Sequence, residues 1–145
     1  MKNWTYLLLV LLMAVSACGQ KGRSKDNSSH EFSEIDSTLK KTTLKFLATE
    51  HDFGFVQEGE TVTHVFEVQN TGKNDLMLQA VRPSCGCTTP KYEKKPIRPG
   101  RKGTIEVAFD TKGRPGKQRK SITVVTNTEP PNTVLYFTCE VIAKK

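Results

Sequence analysis

Thr61-Val62-Thr63-His64-Val65-Phe66-Glu67-Val68-Gln69-Asn70 decides the architecture. Val62, His64, Phe66 and Val68 alternate with Thr61, Thr63, Val65, Glu67 and Gln69, a period of two that sets one face toward a core and the other toward water. The run ends in Asn70-Thr71-Gly72-Lys73-Asn74-Asp75, whose Asn, Gly and Asp accept the backbone angles of a turn. Upstream, Leu44 to Thr49 and Phe53 to Val56 read as short strands, with His51 and Asp52 in the turn between them. Gln57-Glu58-Gly59-Glu60 is the turn before Thr61. Downstream, Leu76 to Val81 shows Leu76, Leu78 and Ala80 on one face. Ile105, Val107 and Phe109 alternate with Glu106, Ala108 and Asp110. Gly113-Arg114-Pro115-Gly116 is a turn. Gln118 to Thr126 and Val134 to Ala143 complete the set, joined by residues 127–132. Pro96, Pro99 and Gly100 predict a mainly irregular crossing over 82–103. About seven short strands without a helical period predict an all-β, antiparallel β-sandwich. A proline-rich crossing suits a chain that changes sheets better than it suits a barrel.

Other features point to where the chain works. Lys2 precedes an unbroken apolar run, Leu7 to Val15, which closes with Ser16-Ala17-Cys18. Positive start, short apolar run and small-residue exit predict a secretory signal over 1–17. The run is shorter than the roughly 20 residues a permanent membrane helix needs. Val15-Ser16-Ala17-Cys18 resembles the lipobox of bacterial lipoproteins. That resemblance implies cleavage after Ala17 and acylation of Cys18, and several acyl chains at about 0.8 kcal/mol per methylene anchor a protein stably. Gly19 follows Cys18 in place of an inner-membrane retention aspartate, which favours the periplasmic leaflet of an outer membrane. Residues 19–43 are polar and charge-mixed, too poor in apolar residues to fold alone, and read with Cys18 as a tether over 18–43. As a coil it reaches roughly 25–30 Å. The sandwich takes 44–145.

Of 22 basic and 15 acidic side chains only Lys2 lies in 1–17, so a net charge of +7 becomes +6 after cleavage. The excess gathers late. Lys91, Lys94, Lys95, Arg98, Arg101, Lys102, Lys112, Arg114, Lys117, Arg119 and Lys120 face only Glu93, Glu106 and Asp110. Such a concentration predicts attraction to anionic lipid or acidic glycans. An extracytoplasmic chain is a poor partner for nucleic acid.

Several pieces carry a resemblance to one family: Phe53-Gly54-Phe55-Val56, Gly59-Glu60, Phe66 to Gly72, Ser84-Cys85-Gly86-Cys87-Thr88, Pro96 to Gly100, Val107 to Thr111, Gly113 to Gly116 and Val125-Thr126-Asn127. In this order the stretch from Phe53 to Val141 resembles the domain of unknown function 1573. The resemblance implies an immunoglobulin-like sandwich akin to major-sperm-protein and Hydin-type modules, exported and often lipidated. It supplies no activity, ligand or catalytic residue.

With Cys18 lipidated, Cys85, Cys87 and Cys139 remain, an odd number in an oxidising compartment. Cys139 could pair with Cys85 or Cys87. Cys85 and Cys87 could pair through Gly86 in a tight, reducible ring. The two thiolates could instead bind a soft ion such as copper(I). Cys139 shares a face with Leu135, Phe137 and Val141 and reads as core. Cys85 and Cys87 sit in a loop beside Arg82 and near Lys91, where positive charge favours thiolate. No second Cys pair closes a metal site, and a thioredoxin-type motif needs two intervening residues. His64 reads as a packed strand histidine. No nucleophilic elbow, zinc-protease motif or phosphate loop is present. The expectation is a membrane-anchored, non-enzymatic interaction module of the cell envelope, with thiol redox or copper handling through Cys85-Gly86-Cys87 as the alternative and no cofactor otherwise.

Overall fold

The computed structural model describes residues 39–144. These contain eight strands and no helix: β1 Leu44–Phe46, β2 Glu50–Gln57, β3 Thr61–Asn70, β4 Leu78–Pro83, β5 Thr88–Tyr92, β6 Lys102–Asp110, β7 Gly116–Thr126 and β8 Asn132–Ile142. They form two four-stranded sheets, ordered β1-β3-β6-β5 and β2-β8-β7-β4. The chain is an all-β, immunoglobulin-like sandwich.

β3 matches the predicted strand residue for residue, and its register explains why. Phe66 and Val68 lie opposite Ile105 and Gly103 on β6. All four point between the sheets, while Thr61, Thr63 and Val65 face water. β8 alternates just as regularly, with Leu135, Phe137, Cys139 and Val141 buried. Between the sheets Phe66, Phe109 and Phe137 pack with Leu76, Ile105, Ile122 and Leu135, all at most 1% exposed. Each such side chain contributes about 1.5–3 kcal/mol by leaving water.

Four expectations are corrected. Residues 82–103 contain an eighth strand, β5, paired to β6 from Thr88↔Phe109 to Tyr92↔Ile105. Pro90 is tolerated there because β5 is an edge strand, with one side free of ladder bonds. The sheets are not wholly antiparallel, since β2 runs parallel to β8. β2 also begins earlier than Phe53, so His51 and Asp52 lie in a strand instead of a turn. Its pattern is hidden by a register shift between Asp52 and Phe55, where Gly54 adopts φ 67°. Finally, Lys40 to Thr43, assigned to the tether, are held by the sandwich. Thr42 is buried and donates its N–H to the Asn127 carbonyl at 3.1 Å, and Asn127 donates Nδ2 to the Lys40 carbonyl at 2.9 Å. The predicted signal peptide, with Ala17, the predicted lipidation site Cys18 and most of the predicted tether lie outside the described residues.

Two buried asparagines organise the end of the sandwich where the chain enters. Asn70, with no exposed surface, donates to the Asn74 and Ile97 carbonyls at 2.8 and 2.7 Å. Its Oδ1 accepts from the Thr42 hydroxyl and the Gly72 N–H, each at 3.0 Å. Asn127 similarly joins Lys40, Asp75 and Met77. At the opposite end Thr111 accepts from the Gly59 N–H and its hydroxyl reaches the Glu60 carbonyl, locking the 57–60 turn to the β6–β7 turn.

Candidate functional site

The crossing from β4 to β5 carries Cys85-Gly86-Cys87, and Cys85 and Cys87 are joined as a disulfide. Of the three arrangements open in the sequence, the structure therefore has the pairing through Gly86, with Cys139 a free, buried thiol. Hydrogen bonds pin the crossing on both sides. The Ser84 N–H donates to the Ser121 carbonyl on β7 and the Ser121 N–H to Ser84 Oγ. The Asp110 N–H donates to the Cys87 carbonyl, and the Thr88 N–H to that of Cys85. A ring over only three residues removes little freedom from the unfolded chain, on the order of 1–2 kcal/mol in the chain-entropy account. The sulfurs differ in exposure: Cys85 is partly exposed, Cys87 buried at 8%. Thr88 Oγ1 lies 3.5 Å from Cys85 Sγ.

Lys120 points inward on β7, beside this crossing through its neighbour Ser121. Its ammonium stands 6.0 Å from the centre of the buried Phe109 ring. Burial pushes the Cys139 thiol up, the Asp52 carboxylate adds to that and Lys120 opposes it. Lys91 stands 3.6 Å from Glu106 across the β5–β6 ladder.

Sequence reasoning missed a second cluster. His51 of β2 and His64 of β3 stack, and Phe53 meets both rings edge-on. Burial, then the neighbouring His51, hold the His64 imidazole below its usual range. Among the described residues no group of three or more His, Cys, Asp or Glu is placed to hold a metal.

The outer face of the second sheet, across β2, β8 and β7, forms an open groove of about 360 Å³. Its floor and walls include Asp52, Phe55, Lys117, Arg119, Thr138 and Glu140. A smaller hollow of about 150 Å³ continues it past Glu50 and Tyr136. The bulge at Gly54 shapes the rim. Asp52 Oδ1 accepts from the Gly54 N–H at 3.1 Å and from the Thr138 hydroxyl at 3.0 Å, and these bonds lower its carboxyl pKa in that order. Phe55, just past the bulge, is 76% exposed. The Arg119 guanidinium lies over the Tyr136 ring at 4.5 Å and reaches Glu50 at 3.5 Å.

Nine of the eleven basic residues gathered between Lys91 and Lys120 fall into two groups. Lys94, Lys95, Arg98, Arg101 and Lys102 lie at the end where the chain enters, Lys102 bonded to Glu67 at 2.8 Å. Arg114, Lys117, Arg119 and Lys120 lie in the β6–β7 turn and the adjoining half of β7. β6 runs between the groups, about 27 Å at 3.4 Å per residue.

Solved structures similar to this one share the fold. A Porphyromonas gingivalis W83 protein of unknown function superposes with a TM-score of 0.60 at 21% identity, over 70% of this chain and 48% of that one. The chain thus spans about half the length of that relative. A PapD-like domain of human CEP192 gives 0.57 at 14%, covering 72% of this chain and 89% of that domain. The Vibrio cholerae VesB protease gives 0.54 at 14%, over 68% of this chain and 31% of the protease. No curated protein matches the chain. The model of one family, the proteins of unknown function called DUF1573, matches residues 44–141, and the chain belongs to that family.

Proposed function

We propose that the chain is a lipid-anchored protein of the cell envelope whose sandwich is a non-enzymatic binding module, taking a polypeptide partner on the outer face of the second sheet. Phe55 carries this reading. An aromatic side chain 76% exposed on an edge strand, at the rim of an open groove, is the kind of anchor that interface energetics concentrate on. The charges around it select the partner class. Lys117 and Arg119 alternate with Asp52 and Glu140, so a polyanion would meet carboxylates as well as cations. A protein surface with charges of both signs around an apolar pocket complements the groove.

The anchor is assigned to Cys18, and the entering end then faces the membrane. Leu39 to Thr42 join the sandwich at the end that carries Lys94, Lys95, Arg98 and Arg101. A tether of some 25–30 Å leaves that end within reach of anionic headgroups.

Photo-crosslinking in living cells tests the docking face. A crosslinker at position 55 gives one discrete adduct that Arg119→Glu abolishes, whereas one at position 95 does not give that adduct. Equal adducts from both positions, or none from 55, would contradict the reading.

A further inference from the structure

We propose that Cys85–Cys87 is a reversible thiol–disulfide exchange site, with Cys85 the sulfur attacked by an external dithiol and Cys87 the sulfur that leaves. This goes beyond docking at Phe55 and does not depend on it.

Access is one-sided. Cys85 is partly exposed while Cys87 is buried at 8%, so an incoming thiolate reaches Cys85 first. Gly86 leaves the approach open, since a Cβ built there would meet nothing within 4 Å. The crossing also holds its shape without the sulfur–sulfur bond. Ser84 and Ser121 bond reciprocally on the β7 side, and Cys87 accepts from Asp110 on the β6 side. Opening the ring therefore leaves both strands in place.

The surroundings accommodate the charge that exchange creates. The Thr88 hydroxyl, 3.5 Å from Cys85 Sγ, can donate to a thiolate there. Lys120 brings a cation over the ring of Phe109, the ladder partner of Thr88 next to Cys87, and positive charge there favours thiolate as leaving group. Cys139 stays outside the cycle as a buried thiol.

The step balances. A thiolate of the dithiol bonds to Cys85 Sγ, the Sγ–Sγ bond breaks, and its electron pair leaves on Cys87 Sγ, which takes a proton. The dithiol's second sulfur, as thiolate, then attacks its own partner in the mixed disulfide. Cys85 leaves as thiolate and is protonated. Two electrons and two protons pass to Cys85 and Cys87, and the dithiol becomes a disulfide.

The test treats the native chain, disulfide closed, with dithiothreitol, followed by alkylation and peptide mass analysis. Cys85 and Cys87 become labelled while Cys139 stays unlabelled and the near-ultraviolet dichroism of the sandwich persists. In Cys87→Ser, oxidised glutathione adds one glutathionyl group to Cys85. Lys120→Gln slows reduction of the native disulfide roughly threefold, through a poorer leaving thiol. Labelling of Cys85 and Cys87 only together with Cys139, as the sandwich unfolds, would overturn the proposal and leave the bond a structural staple.

Discussion

His51 and His64 lie face to face, ring centroids 3.6 Å apart and planes 9° from parallel, although one belongs to each sheet. β1 pairs only with Val68, Gln69 and Asn70 of β3, and further along β3 the His64 ring meets His51 and Phe53 of β2. The stacked imidazoles, with Phe53 and Phe66 edge-on, close that seam.

A pH dependence follows from His64. Its folded pKa lies below the unfolded value of 6.5, so below that value the unfolded chain binds more protons than the folded one. The contribution is complete above about pH 6.5 and is lost as pH falls through the folded pKa. Urea melts from pH 7.5 to 5 show stability falling below pH 6.5, and His64→Gln flattens the profile over that interval. A flat wild-type profile would contradict the stack.

Asn70→Ala leaves the Ile97 and Asn74 carbonyls and the Gly72 N–H without their side-chain partner, at a buried position. The expected loss is about 3 kcal/mol, read as a lower urea midpoint.

Gly72→Ala acts beside it. A Cβ there would stand 2.6 Å from the Thr43 backbone nitrogen and 2.2 Å from Thr42 Oγ1. Backbone cannot yield cheaply, so the entering segment shifts. Stability falls by about 2 kcal/mol, and hydrogen exchange quickens at Thr42, whose N–H bonds the Asn127 carbonyl.

Phe55 and Phe109 separate binding from folding. Phe55→Ala changes stability by less than about 0.5 kcal/mol, because the ring is already in water. Phe109→Ala costs about 3–5 kcal/mol, as it empties the centre of the core. A crosslinker at Lys117, on the wall of the same groove, loses its adduct in Phe55→Ala and keeps it in Phe109→Ala when the proteins are compared under conditions where both remain folded.

Much of this was legible where local pattern and tertiary demand agree. β3 and β8 bury one face each, so alternation alone marks them, and Cys139 follows its neighbours into the core. β5 was not legible: Thr88-Thr89-Pro90-Lys91-Tyr92 has almost no apolar pattern and is a strand because β6 offers it a ladder. The early start of β2 depends on a parallel pairing with β8, more than 80 residues away. The histidine stack was hidden because His51, read as a turn residue, lies on β2 and meets His64 of β3 from the other sheet. The basic residues look like one cluster in the chain because β6 is read as a short interval, yet it spans the length of the sandwich. Cysteine pairing needed three dimensions, since three thiols allow more than one bond.

The anchor proposed at Cys18 underlies the proposed docking face, the proposed membrane-facing end and the oxidising surroundings proposed for Cys85 and Cys87. Metabolic labelling with a radioactive fatty acid measures it directly, in the wild type and in Cys18→Ser. Label in the membrane-bound wild type, absent from the variant, is the predicted result. Unlabelled wild-type protein recovered from the cytosol, with Cys85 and Cys87 as free thiols, would contradict the account.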